Sequence, residues 1–297
     1  MFLPYLLLAT LGCKGGKDVD SGEPLLQGIS GKWRQVAAGE YFTCAINTDT
    51  ELLCWGDESL AVVTDAPEDT GWIEIAAGVS HACARKSDGV PVCWGDDSHG
   101  QSTPAAAPAA ALTSGLDHSC SLGATGYATC WGRTDQGATI PPNNRFDELA
   151  AGGGFTCGID IAGATVCWGR SDETAGAESP VVPPASSFNE IAASRDRACG
   201  TLSAGGVDCW GVDPEAVEAT FDGEVLATLS LGETEWCGIT TGGTGICKGL
   251  EDRGESLGYL PTSLAAGHSH GCAIAPNTNA LTCWSLDDAS DAAAAGP

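Results

Sequence analysis

A cysteine can close a disulfide, bind a metal or attack a substrate, and in this chain the spacing chooses among these. Fourteen of the fifteen cysteines fall into seven pairs: Cys44/Cys54, Cys83/Cys93, Cys120/Cys130, Cys157/Cys167, Cys199/Cys209, Cys237/Cys247 and Cys272/Cys283. The gap within a pair is ten residues in six cases and eleven in the last. Zinc sites use closely clustered cysteines, which this uniform gap does not supply. A mate ten residues away, with a turn midway, lies opposite on an antiparallel strand, near the roughly 5.5–6 Å Cα separation of a disulfide. Seven disulfides persist only in an oxidising compartment, so the chain is expected to be exported.

The other reactive types are less ordered. The histidines are His81, His99, His118, His268 and His270, and acids recur at Asp57, Glu58, Asp96, Asp97, Asp135, Asp172, Glu173, Asp213, Glu251, Asp252, Asp287 and Asp288. No Asp-x-Asp-x-Asp calcium loop occurs, and an Asp just past a strand is a common turn former. Gly152-Gly153-Gly154 lacks the Lys-Ser/Thr of a phosphate loop. No catalytic motif stands out and no cofactor or resident metal is expected.

What must position these groups is a repeat. The first cysteines recur at intervals of 35 to 42 residues, which marks one supersecondary unit used seven times. Five residues before each stands Gly39, Gly78, Gly115, Gly152, Gly232 or Gly267, with Ser194 in the fifth unit. Three residues earlier comes an aliphatic: Val36, Ile75, Leu112, Leu149, Ile191, Leu229 or Leu264. Trp-Gly follows the second cysteine in five units, while the sixth has Lys248-Gly249 and the seventh Trp284-Ser285. Segments such as Trp72–Ala77 are too short for helices and are separated by turns such as Asp88-Gly89, so each unit reads as three short strands. Such units bury their faces only against one another. The expected fold is all-β, a seven-bladed β-propeller with blades of three to four strands and one disulfide per blade.

The string Ile75-Ala-Ala-Gly-Val-Ser-His-Ala-Cys-Ala84, followed by Val92-Cys-Trp-Gly-Asp-Asp-Ser-His-Gly-Gln101, resembles the repeat of the regulator of chromosome condensation family. The resemblance spans about residues 31–288 and is nearer the compact bacterial versions than the eukaryotic founder. It implies a seven-bladed propeller. Two departures are the sixth unit's missing Trp and a Gly-Gln intact only at Gly100-Gln101.

In such a unit the loops before the first cysteine and those after Trp-Gly share one face of the disc. His81, His118 and His270 occupy one recurring position, where a structural hydrogen bond is expected, and Phe42 and Phe155 share it as packing residues. Tyr41, Arg195, Arg197, Trp236 and His268 break the pattern and are of the types that anchor interfaces. They are the expected partner-binding residues.

With 13 basic against 39 acidic residues, the net charge is −26. Nucleic acid and anionic membrane are therefore poor partners; the acidity reads first as a solubility device, with an unknown, basic protein or ligand partner as the alternative. Residues 1–13 read as a secretion signal ending in Leu11-Gly12-Cys13, which resembles a lipoprotein box with Cys13 as the lipidated residue. Residues 14–31 read as a polar tether, 32–288 as the propeller and 289–297 as a flexible tail. The expectation is a monomeric, non-catalytic binding module at the bacterial outer membrane or cell surface, touching membrane only through its lipid, or else secreted. The alternatives are an extracytoplasmic carbohydrate- or peptide-processing enzyme with carboxylates at the propeller centre and, last, a nucleotide exchange factor for a small GTPase.

Overall fold

The computed structural model describes residues 27–169, 182–247, 261–268 and 270–285. Six blades are three-stranded antiparallel sheets. The first holds β2 (Trp33–Ala38), β3 (Phe42–Asn47) and β4 (Leu52–Gly56), and the second β5 (Trp72–Ala77), β6 (His81–Lys86) and β7 (Pro91–Gly95). The third holds β8 (Ala111–Ser114), β9 (His118–Leu122) and β10 (Ala128–Gly132), and the fourth β11 (Phe146–Ala151), β12 (Phe155–Asp160) and β13 (Thr165–Gly169). The fifth holds β14 (Ile191–Ala193), β15 (Arg197–Thr201) and β16 (Val207–Gly211), and the sixth β17 (Leu226–Leu231), β18 (Trp236–Thr240) and β19 (Gly245–Cys247). The seventh comprises β20 (Ser263–Ala266), β21 (His270–Ile274) and β22 (Leu281–Ser285), with β1 (Gln27–Ile29) paired antiparallel to β22 as a fourth strand. That pairing closes the ring with an early segment of the chain. It also corrects the expected tether, because the propeller includes Gln27–Ile29 and does not start at residue 32.

Each blade carries its disulfide across its own hairpin, in the sequential pairing that the spacing predicts. The bridges are Cys44–Cys54, Cys83–Cys93, Cys120–Cys130, Cys157–Cys167, Cys199–Cys209, Cys237–Cys247 and Cys272–Cys283. The Cα separations of 4.0–4.1 Å correct the wider spacing expected from the sequence. Opposed residues that exchange no ladder hydrogen bond approach closest, and the Cys209 N–H accordingly points outward, donating to Glu218 Oε1 at 3.0 Å.

The two halves of a bridge are not equivalent, a difference the uniform gap does not announce. The first cysteine of every pair lies on a middle strand and is fully buried. The second lies on the following strand, and Cys54, Cys93, Cys130 and Cys167 there are only half-buried. Cys283 departs from those four because β1 pairs across it, with Gln27 opposite, and covers it completely. Cys247 is buried against Ala273 and Trp284 of the next blade.

The Trp-Gly glycines have positive φ (Gly56 135°, Gly95 96°), and a Cβ there would collide with the loop carbonyl of Tyr41 or Ser80. Two short helices, α1 (Ala61–Thr64) and α2 (Pro214–Thr220), occupy linkers that carry no helical pattern in the sequence. Pro214 opens α2, and Val217 and Phe221, four apart, fill the space between blades five and six.

The core is a series of layers between neighbouring blades: Phe42, Ile46 and Leu52 of the first pack on Trp72, Ile75 and Trp94 of the second. Two polar joints stitch these layers together. In the first, the residue two before a blade's first cysteine meets the residue one before the next blade's. His81 Nε2 lies 2.8 Å from Ser119 Oγ, His118 Nε2 2.8 Å from Thr156 Oγ1, and His270 Nε2 3.0 Å from Thr43 Oγ1. Where the first partner is Phe42 or Phe155, the second is Ala82 or Ala198. Burial pushes His81 and His118 down to about 4, so both are neutral near pH 7. In the second joint, side chains cap N–H groups on the next blade's inner strand: Gln35 to Ile75 (3.2 Å), Glu74 to Leu112 (2.9 Å), Thr113 to Ala151 (3.0 Å), Glu148 to Ile191 (3.1 Å), Ser230 to Ala266 (2.9 Å) and Ser263 to Val36 (3.4 Å). Register shifts at Trp33/Gln35, Trp72/Glu74 and Phe146/Glu148 re-aim three of these caps.

Candidate functional site at the channel mouth

The seven inner strands surround a central channel of ≈ 330 Å³ walled by alanines and by the aliphatic row at Val36, Leu112 and Leu149. At one end the glycine row narrows it to a throat. A Cβ on Gly78, Gly115, Gly152, Gly232 or Gly267 would overlap a carbonyl of the neighbouring blade, which is why the repeat holds glycine there. Blade five carries Ser194 instead, so the sixth blade must stand back enough to admit a side chain. The Ser194 hydroxyl is nine-tenths buried and has no hydrogen-bond partner among the described residues.

The residue after each throat position forms the mouth: Glu40, Val79, Leu116, Gly153, Arg195, Glu233 and His268. One side of this ring is apolar and the other is charged. Arg195 Nη1 lies 3.2 Å from Glu233 Oε2, and His268 Nδ1 lies 2.8 Å from the same oxygen. The Tyr41 ring tilts against His268 with centroids 5.8 Å apart. Backbone bonds such as His268 N–H to Gly39 O (3.3 Å) and Gly153 N–H to Arg195 O (2.9 Å) hold the ring loops together. Burial raises the neighbouring Asp196 carboxyl; the charge of Arg197 opposes the rise and that of Glu233 adds to it.

The structure thus brings together three of the five expected anchors: Glu233 links Arg195 and His268, and Tyr41 packs on His268. Sequence reasoning passes over Glu233, although its place directly after the throat glycine marks it. Trp236 and Arg197 need correction as surface anchors. Trp236 is 3% exposed and packs with Val217 and Phe221, its Nε1 donating to Thr220 Oγ1 at 2.9 Å. Arg197 is 8% exposed, its guanidinium 5.5 Å from the Trp236 ring centroid. Both occupy the joint position, where a large residue fills the space between blades and has no surface to offer.

The post-Trp loops share the mouth's face, as expected: Asp57 N–H reaches Tyr41 O at 2.9 Å and Asp96 N–H reaches Ser80 O at 2.9 Å. Their acids form turns and local pairs. Asp57 accepts from Ser59 N–H (2.8 Å), Asp96 from Gln101 Nε2 (2.7 Å), and Asp135 pairs with Arg133 (2.7 Å). Glu235, Cys237 and Cys247 approach one another, but the disulfide leaves those sulfurs no thiolate for a metal. The opposite face exposes Val90, Tyr127 and Ile161 at hairpin turns, apolar surface that no repeat position announces. Residues 1–13 with Cys13, the tail 289–297, and Asp172, Glu173, Glu251, Asp252, Asp287 and Asp288 lie outside the described residues. Among the described residues no helix is long and apolar enough to cross a membrane.

The family model of the regulator of chromosome condensation (RCC1) repeat matches residues 33–60 and 72–101. No curated protein matches the chain by sequence. Among solved structures, the CRINKLY WD40 ectodomain of the Arabidopsis thaliana receptor kinase ACR4 is similar at TM-score 0.67 and 23% identity, over 87% of this chain and 96% of that one. The entire ectodomain of the Physcomitrella patens receptor kinase CR4 aligns at 0.69 and 24%, over 86% and 74%. Prp20p of Saccharomyces cerevisiae, a structure described with its binding properties to Gsp1p and histones, aligns at 0.62 and 14%, over 86% and 83%. At these identities the likeness carries the fold.

Proposed function

We propose that this chain, a propeller built on the regulator of chromosome condensation repeat, is a non-catalytic binding module that engages a protein partner through its channel mouth. The observation that carries this reading is the convergence of Arg195 and His268 on Glu233 at the mouth, with Tyr41 packed on His268. Aromatic and arginine side chains held in place by neighbours are the usual anchors of interfaces. The net charge of −26 favours a basic partner and speeds its approach at low salt. One disulfide per blade fits an exported chain, and lipidation of Cys13 would tether it to the bacterial surface. That a similar propeller, Prp20p, binds proteins is consistent with this use of the scaffold.

The test is cross-linking capture from an outer-membrane and periplasmic extract. Arg195→Ala and His268→Ala should each weaken capture about tenfold, the scale of an interface anchor, while Tyr127→Ser on the opposite face leaves it intact. The reverse pattern would assign binding to the wrong face. In the same extract Cys13→Ser should stay soluble while the parent partitions into detergent, and equal partitioning would discard the anchor alone.

A further inference from the structure

We infer that the mouth and channel together receive an unblocked polypeptide N-terminus whose first residue is apolar; this rests on the mouth being the binding face. Three observations combine. First, the carboxylate of Glu233 is used on one side only: Arg195 and His268 both contact Oε2, and Oε1 has no partner among the described residues. Glu40, on the blade beyond His268 in the ring, likewise has no side-chain partner among the described residues. Two carboxylates on the mouth ring, against one arginine already committed to Glu233, leave the mouth short of positive charge. An ammonium ion supplies it, with donors that a carboxylate orients strongly.

Second, the side chains lining the channel below are mostly alanines and aliphatics, with Thr113 and Ser230 turned to cap the next blade's N–H groups, and ≈ 330 Å³ lies within the usual range of small-ligand pockets. Charge at the rim and apolar wall beneath call for a ligand whose ammonium stays outside while an apolar group descends. A lysine side chain has the opposite order, since its charge would travel deepest. An α-ammonium with a short apolar side chain has the required order. Third, the throat is modified at one blade, where Ser194 replaces glycine beside Arg195 and its hydroxyl lacks a partner.

The probe is a Leu-Ala-Gly-Ala-Ala peptide labelled at its C-terminus, titrated with the full chain and followed by fluorescence anisotropy. Acetylating its N-terminus should weaken binding about tenfold, as should Glu233→Gln, each removing a charge-assisted hydrogen bond. Affinity of the free peptide should fall above about pH 8, where an α-ammonium deprotonates. A Glu-initiated peptide should bind worse than the Leu-initiated one. Equal binding of acetylated and free peptides overturns the inference, and so does binding of isoamylamine but of no peptide. If no peptide binds while partner capture still depends on Arg195 and His268, this inference fails and the binding face stands.

Discussion

Arg195 and Arg197 stand two residues apart, one in a loop and one at the start of β15, and belong to two different regions. Arg195 is at the mouth, its side chain 40% exposed and paired with Glu233 on the next blade. Arg197 is in the joint, buried beneath that same blade against Trp236. Both are unusual for the repeat, so departure from the pattern does not by itself mark a binding residue. Position within the unit decides. A departure directly after the throat glycine changes what the molecule shows to a partner, whereas one just before the cysteine changes how two blades fit.

Stability measurements can break that distinction. Trp236→Ala empties a core site and should cost about 3–5 kcal/mol, enough to lower the melting temperature by many degrees. Arg195→Ala removes an exposed ion pair and should cost less than about 1 kcal/mol. Thermal denaturation followed by near-ultraviolet circular dichroism separates the two. Comparable losses at both positions would dissolve the distinction between joint and mouth.

The joint sharpens further through its matched partners. Histidine faces Ser or Thr at three interfaces, and phenylalanine faces Ala at two. His118→Phe alone should cost about 1–3 kcal/mol, because a buried Thr156 hydroxyl loses its strongest bond and the larger ring must find room. Adding Thr156→Ala recreates the pair found between blades one and two. It should restore at least about half of the loss, a coupling of roughly 1 kcal/mol in a double-mutant cycle. Additive costs would mean that the matching has no energetic content.

These outcomes bear on what could be read from residues alone. Blade number, strand order and disulfide pairing were legible because each leaves a periodic trace: a cysteine gap, a glycine, a tryptophan. Burial of His81, His118, Phe42 and Phe155 was legible for the same reason. The uneven cover of the second cysteines was not: Cys54, Cys93, Cys130 and Cys167 share a half-buried setting, whereas Cys283 is sealed by β1. That strand has no cysteine or Trp-Gly to announce it, and α2 is hidden in a linker by its single apolar pair. Trp236 and Arg197 mislead because the joint is filled there by residues unlike those of the five histidine and phenylalanine joints, so a shared role looks like an exception. Glu233 escapes notice because its importance comes from Arg195 and His268, 38 and 35 residues away.

The second joint yields the smallest effect and a pH signature. Glu148 caps the Ile191 N–H from a half-buried site, and burial pushes its carboxyl up from 4.5 to about 7, helped by the nearby Glu190 charge and opposed by the Ile191 bond. Between pH 4.5 and about 7 the folded chain therefore keeps a proton that the unfolded chain gives up, and stability falls as pH rises through that window. His81 and His118 act in the opposite direction. They remain neutral when folded down to about 4, whereas the unfolded imidazoles take up protons below 6.5, so these two groups favour folding more as pH rises from 4 to 6.5. The two slopes offset one another in the parent. Glu148→Gln keeps the carbonyl acceptor for Ile191 and removes its titration, so the slope that remains should tilt toward that of the histidines. Its melting temperature should match the parent's near pH 4.5 and exceed it by about 2–5 °C at pH 8. A constant difference across that range would show that Glu148 does not titrate with folding, and the cap would then be an ordinary exposed contact like those at the mouth.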